Sequence, residues 1–461
     1  MTSDHRRHSY WLETIEDDLT PRPSLDGSHT VDVAILGAGL TGLWTAYYLL
    51  QHEPGLKVAI VDKEIAGFGA SGRNGGWLSP GFPVSISELE HRFGRELAVD
   101  LYQAMVGAVE ETLRVLETEG IAADQEQAGS IRMARGSHQL PAVENTIRTF
   151  ERLGLAQYAQ SMDAADVADR VRVTQALKGV FNPTTASVNP AKLVRGLAQA
   201  VERKGATIYE RTRVLDYETG DFPRLMTTRG DLRANVIVLA GEAYLSQLPK
   251  QSRSLIPVYS LMTLTAPLTD AQWDEIGWAQ RYCIGSSRFT VDYLAKTADG
   301  RIAVGGRGAP YHFGSRIDEA YDRDPETHAS LQKMAREWFP ALRDVPFTHS
   351  WGGPLGVPRD WMPSMSYRPA DGLAWARGYT GQGVATSNLS GRVLADLIGD
   401  RDSELTHLPP VNHQSPDWEP EPLRWLGVRF VQSGYRELDR RAEETGRPPS
   451  GRSLAERLGR H

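Results

Sequence analysis

Cysteine is almost absent: Cys283 is the only one in 461 residues, so no internal disulfide can form and no thiolate set exists for zinc or an iron–sulfur cluster. A reducing cytoplasm fits that usage. Histidine is scattered, with neither HExxH nor a paired His/Cys spacing, and His5 and His8 fall in a terminus expected to fray, so no metal site is expected. The Gly-x-Ser-x-Gly elbow is missing, which removes the simplest serine-hydrolase reading. Excess positive charge is lacking too: the formal charge of −7 gives no electrostatic ground for nucleic acid or an anionic membrane as partner. Residues 1–20 hold His5, Arg6 and Arg7 but no apolar secretory core. Repeats and low-complexity tracts are not evident.

What is present begins at Val31. The apolar run Val31–Leu36 is short enough for a buried parallel strand and ends at Gly37-Ala38-Gly39-Leu40-Thr41-Gly42. Gly37 permits the tight turn, Gly39 lets the backbone approach a pyrophosphate, and Gly42 lets the next helix pack on the strand. The unpaired amides and dipole of that helix's N-terminus favour phosphate there. Leu40, Leu43, Trp44, Tyr47 and Leu50 follow helical spacing, and Lys57–Val61 reads as the second strand. Asp62, with Lys63 beside it, ends that strand about 20 residues past the glycines, where an acid accepts hydrogen bonds from a ribose hydroxyl and repels a 2′-phosphate. Val33–Leu50 is uncharged and close to the ~18 residues of a membrane span, but the glycine spacing and the following strand favour βαβ, so no membrane span is expected. A second small-residue loop follows, Ala70-Ser71-Gly72-Arg73-Asn74-Gly75-Gly76, and the two together point to FAD.

At this length two domains are the default. Ser85–Glu119 is helical in period, with Leu89, Phe93, Leu97, Leu101, Met105, Val109 and Leu113 on one face, and is expected to begin a second domain. The βαβ style returns at Asn189-Pro190, which opens a helix that Gly205 stops before strand 206–209. Strands are expected at 213–216, 224–228 and 235–240, and the run from Val236 to Gly241 is apolar throughout. Residues 257–266, 289–296 and 301–306 alternate by halves and suggest an antiparallel sheet with one face on a pocket. Trp375-Ala376, the loop Gly378-Tyr379-Thr380-Gly381-Gln382-Gly383 and a helix over 389–398 return to α/β chemistry. Small residues at Gly381 and Gly383 would aim backbone amides at the charge a reduced flavin gathers at N1 and C2=O, with Thr386, Ser387 or Asn388 capping the helix. Trp418–Leu438 is expected to pack on the body and residues past Thr445 to be solvated; Tyr10, Trp11 and Leu12 are candidates for docking the N-terminal arm.

With these motifs the chain resembles the D-amino-acid oxidase superfamily of FAD-dependent amine oxidoreductases over about residues 30–400, and Ser-Gly-Arg-Asn-Gly-Gly is most similar to the gamma-glutamylputrescine oxidase branch. The resemblance implies an α/β plus α+β fold: a Rossmann-like FAD-binding domain (30–84, 185–250, 350–404) interleaved with a substrate domain on a mixed, largely antiparallel sheet (85–184, 251–349). An arm (1–29) and a helical tail (405–461) flank them. It implies FAD contacts from Gly37, Gly39, Leu40, Thr41, Gly42, Asp62, Lys63, Ala70, Ser71, Arg73, Asn74, Gly75 and Gly76. Val214 at adenine, Ala240-Gly241, and Gly378, Gly381, Gln382, Gly383 and Val384 beside the flavin complete the set. The implied reaction is oxidation of an amine or amino acid at its C–N bond, with O2 or another electron acceptor.

Two departures from the family pattern matter. Covalent members use a cysteine before the segment matching 358–360 or a histidine near the first loop; residues 351–354 and 69–80 have neither, so FAD is expected to be noncovalent. Sarcosine-oxidase-like members carry an oxygen-activating lysine where Ala303 stands, which brings a dehydrogenase into consideration. For the amine itself, Tyr259, Arg288, Tyr293, Arg307, Tyr311 and Trp351 are pocket candidates, aromatic for the amine-bearing chain and cationic for a carboxylate or phosphonate; Arg288 and Arg307 are preferred as an anion clamp. The rival readings are a flavin hydroxylase, disfavoured because 378–383 has no Asp, and an FAD-binding protein without turnover.

Overall fold

The structure, a computed structural model, describes residues 5–17, 19–307, 310–451 and 453–458, with the backbone alone at 307, 457 and 458. One sheet is built on parallel strands in the order Ser364–Arg368, Leu373–Arg377, Gly230–Leu239, His29–Leu36, Val58–Val61, Thr207–Tyr209. Ser364–Arg368 runs antiparallel at its edge, and Arg224–Thr227 and Val214–Glu218 extend Gly230–Leu239 as an antiparallel ribbon. The central strands are apolar runs buried on both faces, as helix-covered parallel strands require. Helix Leu40–His52 is buried from Leu40 to Leu50 and carries no charge before His52, because it is sandwiched between this sheet and other helices.

The second sheet has the order Phe347–Val357, Ile256–Thr265, Ile302–Arg307, Asp292–Lys296, Cys283–Ser286, Ser130–Arg135, Ala176–Asn182, Gln160–Asp163. Among the described residues only Cys283–Ser286 with Ser130–Arg135 pairs in parallel in this sheet. Alternation sorts its side chains cleanly. Tyr259, Leu261, Ile284 and Leu294 enter a core with helix Pro325–Trp338, whereas Met262, Leu264 and Ala303 face the other way. A short ladder of Trp77–Leu78 with Ala186–Ser187 joins the two halves.

One expectation reverses here. The segment expected to open the second domain forms helices Ile86–Phe93 and Arg95–Thr118, broken at Gly94, and packs on the dinucleotide side. Its buried stripe, Leu101, Met105 and Val109, shares a core with Trp44, Tyr47 and Leu389, since those neighbouring helices present the matching apolar surface. Nor do residues 5–13 fray. His5–His8 and Tyr10–Glu13 are helical turns, and Tyr10, Trp11 and Leu12 are buried with Met262, Leu264, Ala303 and Trp351. The tail forms helix Leu423–Thr445, and the stretch expected to be solvated returns as helix Leu454–Leu458, with Ala455 against Gly434. No helix among the described residues is long and apolar enough to cross a membrane.

Candidate functional site

The first strand delivers Gly37 into a turn at φ +108°, where an added Cβ would lie 2.7 Å from the Ala240 carbonyl oxygen. A Cβ at Gly42 would fall 2.0 Å from the Gly37 oxygen, so strand and helix meet only because both residues are glycine. Gly39 is the N-cap and supplies no side-chain cap. Instead the Leu40 N–H donates to Ser71 Oγ at 2.9 Å, the same oxygen that a Cβ on Gly39 would approach to 2.9 Å. Gly37, Gly39, Ala70, Ser71 and Gly241 stay partly accessible along this seam while the residues behind them are buried. A dinucleotide pyrophosphate needs such a backbone-lined groove at a helix N-terminus, and the residues present fit it.

Asp62 accepts hydrogen bonds from the Ala38 N–H at 2.8 Å and the Glu64 N–H at 2.9 Å, locking the glycine turn to the end of the second strand. Burial pushes its carboxyl up to about 6, against the pull of those amides. Lys63 points to solvent and pairs with Glu64 at 3.3 Å, so it forms no wall of the groove. Val214 is buried at the start of Val214–Glu218.

The loop at 70–76 is held from three sides. Ala70–Gly72 is a single helical turn, the Asn74 amide donates to the Ala70 and Ser71 carbonyls, and its Oδ1 accepts from the Gly76 N–H. Ser9 Oγ donates to the Gly72 carbonyl and Trp11 Nε1 to that of Asn74, so the arm grips the loop from outside. Arg73, offered above as an FAD contact, is otherwise engaged. Its guanidinium is buried against Asp322 at 2.6 Å and donates to the Phe68 and Gly352 carbonyls and the Tyr244 hydroxyl. It ties this loop to the second sheet. Burial pushes Asp322 up to about 6 although the adjacent guanidinium opposes it.

Gly378–Gly383 is positioned by a residue that sequence reasoning missed. Glu242, after Ala240-Gly241, accepts from the Gly378 N–H at 2.9 Å and the Tyr379 N–H at 3.1 Å, from a backbone strained to φ +46°. Its burial pushes the carboxyl up to about 7. An acid flanking the second glycine strand end was the available signal. Tyr379 reaches back to Thr41 Oγ1 at 3.0 Å, linking this loop to the first helix. The helix begins at Gly383, with Val384 in its first turn and Gln382 as N-cap. Thr386, Ser387 and Asn388 are therefore inside the helix rather than capping it; Thr386 and Ser387 bond back to the Gln382 and Val384 carbonyls, and Asn388 takes the Tyr48 hydroxyl.

A cleft of about 1110 Å³ lies where this loop meets the second sheet and the tail. Thr380 and Gln382 border it together with Ile256, Val258, Leu355 and Val357, whose registers Ile256↔Val357 and Val258↔Leu355 set two apolar pairs side by side. Phe82, Phe289, Trp361, Trp418 and Tyr435 add aromatic surface, and Val428 and Val431 bring the tail helix in as a wall.

Most of the pocket candidates do not face this cleft. Tyr259 is on the opposite face of its strand, fully buried, with its hydroxyl on the Asp318 backbone. Tyr311 is buried with its hydroxyl on Ser315 and Glu421, and Trp351 is covered by the arm, its Nε1 donating to the Arg73 carbonyl. Arg288 is taken by the tail: it pairs with Glu443 at 3.0 Å and lies 3.8 Å from Asp439. Asp439 in turn accepts from the Phe289 and Thr290 N–H groups. Arg359 pairs with Glu419 and Arg424 with Glu421, so tail carboxylates consume the neighbouring arginines. Tyr293 does face the flavin loop: a Cβ on Gly75 would lie 2.4 Å from its ring, and its hydroxyl meets Ser260 Oγ at 3.0 Å. Arg307 pairs through its backbone with Ser260, while its side chain lies outside the described residues.

Comparison with known proteins gives a consistent result. The family profile described as "DAO: FAD dependent oxidoreductase" matches residues 32–397. A probable oxidoreductase OrdL of Rhizobium meliloti is 29% identical over 399 residues, covering 86% of this chain and 89% of that one. The gamma-glutamylputrescine oxidoreductase of Escherichia coli is 28% identical, with 84% and 90% covered. Among solved structures, glycine oxidase from Geobacillus kaustophilus superposes with a TM-score of 0.72 at 21% identity, covering 84% of this chain and all of that one.

Proposed function

The chain belongs to the DAO family of FAD-dependent oxidoreductases, an amine and amino-acid oxidising family, and from that premise we propose that it oxidises the C–N bond of a small amine to an imine, which water hydrolyses. The observation that carries this reading is the double position of Thr380 and Gln382, which belong to the glycine-rich loop and also border the apolar cleft. FAD, when bound, supplies the hydride acceptor. The chain's own residues do the rest. Leu40, Ser71 and the glycines of the first turn would hold the pyrophosphate, and Asp62 the ribose. Glu242 fixes the Gly378-Tyr379 backbone, leaving Gly381 exposed at its tip. Ile256, Val258, Leu355 and Val357 exclude water from the cleft wall, which favours a neutral amine over an ammonium ion and so exposes the α-carbon hydrogen to transfer.

The missing cysteine and histidine at the family's attachment positions support noncovalent FAD, and acid precipitation releasing all yellow colour checks it. Ala303 supports an acceptor other than O2. It is fully buried with Trp11 and Trp351, so no cation on that strand position stands ready for oxygen. Anaerobic mixing with primary and secondary amines, amino acids and aminophosphonates tests the whole reading. Bleaching of the flavin by one class is the expected result; an unbleached flavin with every class would favour FAD binding without turnover. Readmitting air then checks the acceptor, because fast return of colour with peroxide would overturn the Ala303 argument.

A further inference from the structure

The match to the family profile ends at residue 397, and the tail that walls the cleft lies wholly past it. Gly427, Val428, Val431, Gln432 and Tyr435 border the cleft at the three- and four-residue spacing of a single face of helix Leu423–Thr445. That face changes along its length. Val428 packs with Ile256, Val357 and Trp418, next to the Gly356 carbonyl that accepts from the Thr380 N–H at 3.3 Å, and so marks the flavin-loop end. Tyr435, two turns or roughly 10 Å along the axis, meets the Phe289 ring at 5.4 Å between centroids. Phe289 nonetheless keeps 39% of its surface exposed. At Gly427, midway along the wall, an added Cβ would meet no atom within 4 Å, so the helix stands back from the opposite side. The cleft is therefore an apolar trough, longer than a one- or two-carbon amine requires, with aromatic rings at its far end.

Charge along the trough is cancelled in pairs. Arg359 meets Glu419 at 3.1 Å, Arg424 meets Glu421 at 3.2 Å and Arg288 meets Glu443 at 3.0 Å. Of the bordering acids, Glu88 pairs with Arg92 at 2.7 Å, and Glu456 spends its oxygens on the Gly451 and Ser453 N–H groups. Burial lowers the His138 pKa, which keeps that imidazole neutral. Arg436 is exposed at the rim. A charged group on the body of a substrate would leave water here for partners already matched, at a net cost. An apolar ring meets the opposite situation, because Phe289, Val431 and Tyr435 offer it surface to cover.

We propose that this tail face, together with Phe289, is the specificity-determining wall of the site and selects an arylalkylamine. Its nitrogen lies at the flavin-loop end, its phenyl-sized ring lies among Phe289, Val431 and Tyr435, and its body carries no acidic group. The proposal rests on the amine-oxidation reading above and deepens it.

The FAD-loaded protein tests it in two ways. As reductants, 3-phenylpropylamine is set against propylamine, which lacks the ring, and 2-phenylethylamine against both enantiomers of phenylalanine, which add the carboxylate. As unreactive ligands, 3-phenylpropan-1-ol, benzyl alcohol and benzoate are titrated by calorimetry. The flavin should be bleached at least about tenfold more efficiently by 3-phenylpropylamine than by propylamine, the size expected for burying a phenyl ring. It should also favour 2-phenylethylamine over phenylalanine, and benzyl alcohol should bind at least as tightly as benzoate. Gly427→Leu places a side chain in the trough without touching its walls and suits a helix better than glycine, so the melting transition should hold while 3-phenylpropan-1-ol affinity falls at least about tenfold. Tyr435→Leu, which removes the ring, should weaken the same ligand. Affinity within about twofold of wild type in both variants, or a wild-type preference for phenylalanine or benzoate, overturns the proposal. Bleaching by 3-phenylpropylamine and propylamine with equal efficiency defeats the role of the tail and leaves amine oxidation standing. A flavin that no amine bleaches, in a protein that still binds 3-phenylpropan-1-ol and loses it in Gly427→Leu, defeats amine oxidation and leaves the aryl site standing.

Discussion

The two ends of the chain cover the same face of the second sheet by opposite means. The N-terminal arm removes apolar surface: Tyr10, Trp11, Leu12 and Ile15 are all at or below 7% exposure, packed on Met262, Leu264, Ala303 and Trp351. The C-terminal tail buries Trp418 against Ile256 and Val357, with Trp425 and Val428 partly buried beside it, and is held for the rest by polar contacts. Glu419, Glu421, Asp439 and Glu443 take arginines and backbone amides, while Leu423, Leu426 and Phe430 remain 49–62% exposed. The arm is thereby part of the core, and the tail is the wall of an open cleft. Burial fixes one position tightly; charged hydrogen bonds can hold a surface close without filling the space beneath it.

The difference breaks most visibly at Trp11. Trp11→Ala leaves a hole under the flavin loop and removes the hydrogen bond to the Asn74 carbonyl. It should cost about 3–5 kcal/mol in urea unfolding of the whole protein, and FAD affinity should fall with it. A loss below about 1 kcal/mol would show that the arm is a peripheral strap like the tail.

Acid should separate the two ends next. Burial, with the Arg73 guanidinium nearby, lowers the His8 pKa from 6.5 to about 4. The folded arm therefore binds fewer protons than the unfolded one over that interval, so its contribution is complete above pH 6.5 and is lost as pH falls to about 4. The effect is on the order of 3 kcal/mol by the acid end. Glu421 in the tail is shifted down from 4.5 despite its burial, by the Gly314 amide, the Tyr311 hydroxyl and other donors, so the tail's loss begins only below that pH. Hydrogen exchange at pH 5 should show the arm loosened and the tail intact. His8→Gln should remove the arm's dependence, and equal protection of both ends at every pH would defeat this contrast.

These contrasts also explain what the sequence could convey. The glycine turn, Asp62 and the Gly378–Gly383 loop were legible because each is a local device: a backbone angle, a close approach or a helix start that one residue type satisfies. Helix Pro190–Arg203 with its Asn189 cap was legible for the same reason. Arg288 was misread because the acids that claim it lie some 150 residues onward in the tail. Tyr259 and Trp351 show a different limit: alternation reveals that a strand has two faces, and only the tertiary partners decide which face meets the cleft. Glu242 escaped notice because an acid after a strand is ordinary in sequence and becomes unusual only when surrounded.

Smaller effects sharpen the picture of the tail. Asp439→Asn keeps the shape of the side chain while removing the charge that the Phe289 and Thr290 amides and Arg288 address. About 1–3 kcal/mol of tail docking should go, seen as faster proteolysis after Thr445 with little change in the main melting transition. Coincident loss of the main transition would mean that the tail folds with the core.

Glu443→Gln is the mildest test and the most specific to the wall. Glu443 is 47% exposed, so its pair with Arg288 sits in screened solvent and should be worth no more than about 1 kcal/mol. Its removal leaves Arg288 near Asp439 but short of charge balance at the cleft rim. Stability should hardly move, whereas benzoate should bind slightly more tightly at low salt, and the gain should vanish near 0.5 M salt as screening shortens to about 4 Å. A gain that persists at high salt would mean that Arg288, released from the tail, is itself an anion site. A gain confined to low salt keeps Arg288 as the pin of the wall.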